Sequence, residues 1–218
     1  MSEEKREREN ETEAGNAGET APAEKEPLEN TVYDWAKCLI SAVVGVVLLF
    51  TFGVRLIGVS GVSMQDTLYT GDRLVVLNSM FCDYQPGDVV VVNAYNAQLD
   101  ETLVKRIIAV EGQTVDIDFN TGTVYVDGQA LDEPYAKEPT YTTDGTEFPL
   151  TLKENEVFIM GDNRNHSTDS RSTMLGVIDE RYVVGKAIFL LFPGKTAQYL
   201  GELPGSGPRD FSRIGTID

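Results

Sequence analysis

Leu103-Val104-Lys105-Arg106-Ile107-Ile108-Ala109-Val110 is a short aliphatic run, rich in β-branched residues and interrupted by two adjacent basic side chains. Its length and composition read as a strand. Side chains alternate along a strand, so Leu103, Lys105, Ile107 and Ala109 share one face and Val104, Arg106, Ile108 and Val110 the other. Lys105 is then the only charge on its face. Burial disfavours an ammonium, and a fall of about three units from its usual pKa, enough for a base near neutrality, corresponds to roughly 4 kcal/mol. A lysine is costly to keep there for packing alone, although an edge-strand lysine whose head reaches water has the same local sequence.

Working outward, Leu74 to Leu77, Asp88 to Val92, Thr114 to Phe119, Thr123 to Val126, Val157 to Met160 and Tyr182 to Phe192 carry the same Val, Ile, Phe and Tyr enrichment. Turn residues bound them: Pro86-Gly87-Asp88, Asn120-Thr121-Gly122 and Asp127-Gly128, the last a hairpin signal between Val124-Tyr125-Val126 and Gln129-Ala130-Leu131. No useful helical period follows Ile57, so residues 60–218 are expected to form a mainly β domain. Residues 132–155, with Pro134, Pro139 and Pro149, read as a loop-rich insertion, and the Gly- and Pro-spaced tail from Pro193 as a surface wrap.

Ahead of this domain, Leu39 to Val54 is apolar, small or hydroxyl-bearing, and with Arg55 tolerated the run reaches Val59, about the 20 residues a membrane span needs. Tyr33 and Trp35 suit an interface, and Lys37 can snorkel beside them. The segment 32–59 is therefore expected to be a single transmembrane helix. A buried core helix would show a polar face, and a cleaved secretory signal would seldom carry so long an acidic head. Residues 1–30 hold ten Glu against four Lys or Arg, a net of −6 within the −17 of the whole chain. Such a segment buries too little apolar surface to offset its chain entropy, so 1–31 is expected to be a disordered tail. Lys5, Arg6, Arg8, Lys25 and Lys37 precede the span, which favours a cytoplasmic N-terminus and an outside location for the remainder.

The acidity excludes nucleic acid as a partner, since no basic stripe replaces the counterions of a phosphate backbone. Cys38 lies at the start of the span and Cys82 well beyond it, so two free thiols are expected. With one histidine and two cysteines, a zinc site is not expected, and Asp162-Asn163 lacks the spaced ligands of a calcium loop.

Two polar segments remain. Gly61-Val62-Ser63-Met64-Gln65-Asp66-Thr67-Leu68 places a serine just past the membrane run, behind a glycine that allows close backbone approach. The Ser63 hydroxyl needs a base to be nucleophilic, and its own N–H can serve an oxyanion hole. Gly161-Asp162-Asn163-Arg164-Asn165-His166-Ser167-Thr168-Asp169-Ser170-Arg171 is denser in acceptors, hydroxyls and arginines than a merely solvated loop requires.

Together with Gly87-Asp88-Val89-Val90-Val91 and the Lys105 strand, these blocks resemble the type I signal peptidases, membrane-anchored serine endopeptidases with a Ser/Lys dyad. The resemblance runs from about Trp35 to the terminus, with a weak echo at Arg213-Ile214-Gly215. It implies a signal-peptidase-like β-rich catalytic domain with a hydrophobic face against the bilayer, on a single-pass anchor in the bacterial cytoplasmic membrane. It also implies Ser63 as nucleophile, Lys105 as general base, Ser167 as a hydroxyl orienting the lysine, and Asp169 with Arg171 as an ion pair shaping the site. Arg106 and Asp162 fall in matching blocks as structural support. The implied substrates are preprotein signal peptides, bound as an added strand and cut after small residues of the Ala-X-Ala kind. Membrane lipid and the secretion translocon are the further partners, and no cofactor is implied. Asp66 departs from the proline of many relatives. Gly61 supplies no hydroxyl two residues before Ser63, which leaves the second oxyanion donor unassigned.

Three other readings use the same residues. His166 could join Ser63 and an aspartate in a triad. Cys82, His166 and Arg171 could be cast as the trio of a sortase-like cysteine transpeptidase. An anchored, non-enzymatic peptide-binding β-domain would have the same folded part.

Overall fold

From Leu28 to Leu48 the chain is one α-helix, α1, followed by a π-helical turn over Leu49–Gly53. Val32–Gly53, 22 residues, is long and apolar enough to cross a membrane, and Leu39, Val43, Val46, Leu49 and Phe52 are exposed along it. A computed structural model describes residues 28–94, 101–195 and 207–217. The expected tail 1–31 thus lies outside the described residues except at its end, where α1 already begins at Leu28.

The expected span 32–59 also differs at its far end, closing at Gly53. Val54–Gly58 is a strand, β1, paired antiparallel from Val54 opposite Leu77 to Gly58 opposite Arg73. Val54-Arg55-Leu56-Ile57 is as compatible with a β ladder as with an apolar helix, and the adjacent strand decides between them.

The remaining strands in chain order are β2 (Arg73–Asn78), β3 (Val89–Asn93), β4 (Thr102–Ala109), β5 (Thr114–Asp118), β6 (Thr123–Val126), β7 (Gln129–Ala130), β8 (Leu150–Thr151), β9 (Glu156–Met160), β10 (Ile178–Asp179), β11 (Val183–Phe192) and β12 (Gly215–Thr216). The larger sheet runs β1-β2-β11-β3-β4-β9-β10, with β12 added to β11, and β7-β6-β5-β8 form a smaller second sheet. The pairings between these strands are antiparallel. Of the expected insertion 132–155, only Leu150–Thr151 joins a sheet, as β8.

Three apolar clusters fill the interior. Val104 packs against the first, with Val89, Val91, Met64 and Leu68. Ile107 belongs to the second, with Val90, Val92 and Ile159, and Ile108 to the third, with Val115, Val124 and Phe158. The expected strict alternation fails after Ile107: the ladder with β9 shifts between Ile107 and Ala109, and Ala109 joins Ile108 in the third cluster. A bulge of this kind re-aims the residues beyond it.

β4 pairs with β3 from Thr102 to Arg106 but with β9 only from Arg106 to Ala109. Among the described residues, its first half therefore has one side outside any ladder. β1 is the terminal strand of the sheet. These two open edges frame the site.

Candidate active site

Ser63 sits in a turn entered through Gly61, whose φ of 103° lies in the left-handed region that favours glycine. Thr70 braces that turn: its Oγ1 accepts from the Gly61 N–H at 3.1 Å and donates to the Gly61 carbonyl at 2.9 Å. From the first half of β4, Lys105 reaches across, and its Nζ donates to Ser63 Oγ at 2.6 Å. Lys105 is 2% exposed. Burial lowers its pKa to about 8; Asp169 partly offsets that, Arg171 adds to it, and Asp162 offsets it again. An amine held near neutral pKa beside a hydroxyl can accept that hydroxyl's proton.

The loop after β9 supports both groups. Arg106 grips Asp162 through two bonds, Nε to Oδ1 at 3.0 Å and Nη2 to Oδ2 at 2.9 Å, and donates to the Gly87 carbonyl at 2.7 Å. Asp162 Oδ2 also accepts from the Thr67 hydroxyl at 2.5 Å. Asp169 takes two bonds from the Arg171 guanidinium, each at 2.8 Å, one from the Arg171 N–H at 3.3 Å and one from the Gly161 N–H at 3.0 Å. Both ion pairs are buried, a setting in which removing one partner is far more damaging than the pair is stabilising.

Gly161 is required sterically. A Cβ there would collide with Ser167 Oγ and with the Ser63 carbonyl oxygen. Asn163 completes the contact between loop and turn: its N–H donates to the Ser63 carbonyl at 2.9 Å, and its Nδ2 donates to the Val62 carbonyl at 3.0 Å.

Beside the Ser63–Lys105 contact lies a groove of about 340 Å³, lined on one side by Ile57 to Gly61, Ser63 and Met64 and on the other by Glu101 to Lys105. Its two walls are the open edge of β1 with its continuation and the open half of β4. An extended peptide laid there meets backbone donors and acceptors on both flanks.

The family model described as signal peptidase, peptidase S26, matches residues 32–192. The chain belongs to this signal peptidase family. Among similar proteins, a "Signal peptidase I" of Bacillus amyloliquefaciens is 35% identical over 179 residues, covering 78% of this chain and 93% of that protein. A "Probable signal peptidase I-1" of Synechocystis is 38% identical over 149 residues, covering 64% and 72%. The crystal structure of a signal peptidase I from Enterococcus faecalis superposes with a TM-score of 0.40 at 27% identity, covering 48% of this chain and 97% of that one.

In this signal peptidase, the residues singled out from sequence have unequal fates. Ser63 and Lys105 meet, Asp169 and Arg171 pair, and Arg106 and Asp162 form a buried support. Ser167, expected to orient the lysine, lies against Gly161, and its hydroxyl is buried without a hydrogen-bond partner among the described residues. The Lys105 Nζ contact present is the one to Ser63.

His166 is exposed, and its ring bonds neither Ser63 nor an aspartate among the described residues. Cys82 donates weakly to the Leu77 and Asn78 carbonyls at 3.6 and 3.4 Å. Burial pushes its thiol pKa up, which is opposite to what a thiolate nucleophile needs.

Sequence reasoning missed two supports. The stretch read as an insertion reaches the site loop: Glu133 binds Arg164 at 2.6 and 2.8 Å, and Tyr135 lies 4.1 Å beneath the Arg106 guanidinium. The other is Asn163, whose contacts depend on chain closure and leave no local signal that distinguishes it from Asn165. Arg213, the weak terminal echo, binds Asp72 and the Thr67 carbonyl, tying the C-terminal segment to the turn after Ser63.

Proposed function

We propose that this chain is a membrane-bound serine endopeptidase that removes N-terminal signal peptides from secreted preproteins, with Ser63 as nucleophile and Lys105 as general base. The single observation carrying the reading is the 2.6 Å contact between Ser63 Oγ and the buried Lys105 amine. At pH 7 a group with a pKa of about 8 is roughly one-tenth neutral, enough to turn over. Neutral Lys105 takes the proton as Oγ adds to the scissile carbonyl, and the Ser63 N–H receives the developing oxyanion. Collapse to the acyl-enzyme passes the proton from Lys105 to the departing amine of the mature protein. Water then cleaves the ester with Lys105 again as base.

The signal's last residues lie extended in the groove between the edges of β1 and β4. Alternate side chains of an added strand point the same way, so the first and third residues before the cut share one face of the bound segment. This supports a preference for small side chains there, as in Ala-X-Ala. Residues 60–218 work outside the bacterial cytoplasmic membrane, residues 32–53 cross it, and the acidic tail stays in the cytoplasm, in line with the basic residues preceding the span.

The test is incubation of detergent-solubilised wild type and Ser63→Ala with a preprotein whose signal ends in Ala-X-Ala. Cleavage after that tripeptide by the wild type alone is expected. Cleavage by both, or by neither, overturns the proposal.

A further inference from the structure

We infer that Asn163 is the positioning residue that aims the Ser63 N–H at the oxyanion. The inference rests on the catalytic reading of Ser63 proposed above. The Val62–Ser63 peptide is trans, and in a planar trans peptide the carbonyl and the N–H point in opposite directions within one rigid plane. Whatever holds the Val62 carbonyl therefore sets the direction of the Ser63 N–H. Two donors hold it: Asn163 Nδ2 at 3.0 Å and the Gln65 N–H at 3.2 Å from within the same turn. Only Asn163 comes from the far loop, and its own N–H fixes the next carbonyl, that of Ser63, at 2.9 Å. Two consecutive carbonyls are thus gripped by one residue, while the Ser63 N–H between them has no partner among the described residues.

A second observation favours a role beyond packing. Asn163 is 3% exposed and its Oδ1 is buried without a partner among the described residues. An orphaned buried acceptor is destabilising, and leucine would fill similar space without it. The amide is kept for its donor, and that donor goes to the peptide carrying the proposed oxyanion N–H. Gly61, having no side chain, adds no second donor on this side of the turn, which makes the aim of the one present more consequential.

The experiment compares detergent-solubilised full-length wild type, Asn163→Ala, Asn163→Leu and Ser63→Ala at a temperature well below unfolding. Asn163→Leu keeps the branched heavy-atom skeleton and removes both the donor and the orphaned acceptor, so it guards against a variant that merely leaves a cavity. Three quantities are measured: kcat and KM on a signal peptide substrate, affinity for the free-acid product peptide, and affinity for the corresponding peptide aldehyde. The aldehyde reports the oxyanion, because Ser63 Oγ adds to its carbon, the Oγ proton passes to Lys105, and the carbonyl oxygen becomes the oxyanion of a hemiacetal. Both Asn163 variants are expected to lose about 10- to 100-fold in kcat and a similar factor in aldehyde affinity, with KM and product affinity unchanged. The inference is overturned if kcat is retained, if aldehyde and product weaken together, or if lost activity only tracks lost folded protein. Ser63→Ala separates the two levels: if it is inactive while Asn163→Leu behaves as wild type, only the Asn163 role fails, whereas an active Ser63→Ala removes the catalytic reading itself.

Discussion

Replacing Lys105 by methionine removes a buried charge while keeping a flexible apolar stem of similar length. Its effect on stability follows from the same shift that suits the lysine to the proposed role of base. The pKa falls from 10.5 to about 8 on folding, and at about 1.4 kcal/mol per unit the folded state bears a penalty of about 3 kcal/mol while the amine is charged in both states. Below pH 8 the wild type carries that whole penalty. Between pH 8 and 10.5 the folded protein sheds the proton while the unfolded chain keeps it. The unfolded state then binds more protons, so wild-type stability rises with pH. Lys105→Met has no such rise. The stability of the variant minus that of the wild type should therefore be largest below pH 8 and about 3 kcal/mol smaller by pH 10.5, because the other titrating groups cancel in the difference. Urea unfolding of the detergent-solubilised full chain at pH 6.5 to 10.5 measures it. Near-UV circular dichroism is the suitable probe, since Trp35 and Tyr33 lie in α1 whereas Tyr69, Tyr84, Tyr125, Tyr135, Tyr141 and Tyr182 report the β domain. A stability difference that stays flat across this range would refute a lysine destabilised by burial, and with it the physical basis of the proposed base.

The same amine sets the rate profile: log kcat/KM for signal peptide cleavage should climb with pH at unit slope and level off above about 8, and a profile falling through that region would be wrong for a lysine base. Asp169→Asn removes the carboxylate that holds the Lys105 pKa up, so the inflection should move to lower pH. It also leaves Arg171 without its buried counter-charge, at about 3 kcal/mol or more in urea unfolding. Gly161→Ala should cut kcat by about 100-fold, because its Cβ displaces Ser167 or the Ser63 carbonyl; wild-type turnover would mean the site tolerates that shift. His166→Ala, and alkylation of Cys82 and Cys38, should leave turnover unchanged; loss on either treatment would revive the triad or the thiol reading.

How far the chain can be read without its fold depends on how far each property reaches along it. The strands β2, β3, β4, β5, β6, β9 and β11 lie where their Val, Ile and aromatic enrichment and their turn residues place them, because strand preference and turn chemistry act over a few residues. The two-residue strands β7, β8, β10 and β12 have no such signature as strands, although the Asp127-Gly128 turn does mark the hairpin containing β7. β1 was absorbed into the membrane run because both states accept the same apolar residues, and its pairing partner lies about one turn and one loop further on.

The site divides the same way. Lys105 is conspicuous as a lone charge in an apolar run, and the polar density of the loop after Met160 is visible at a glance. Local composition accounts for these features because apolar patterning and the conformational bias of a short segment are set by immediate neighbours. The contact of Lys105 with Ser63 spans 42 residues, and the Asn163 grip on Val62 spans 101. Such contacts, like the open half of β4 that makes a groove, arise only when the sheet has closed and distant segments share one interior. The physical reason is that hydrogen-bond geometry and exclusion of water are properties of that shared interior and have no counterpart in any single stretch of the chain.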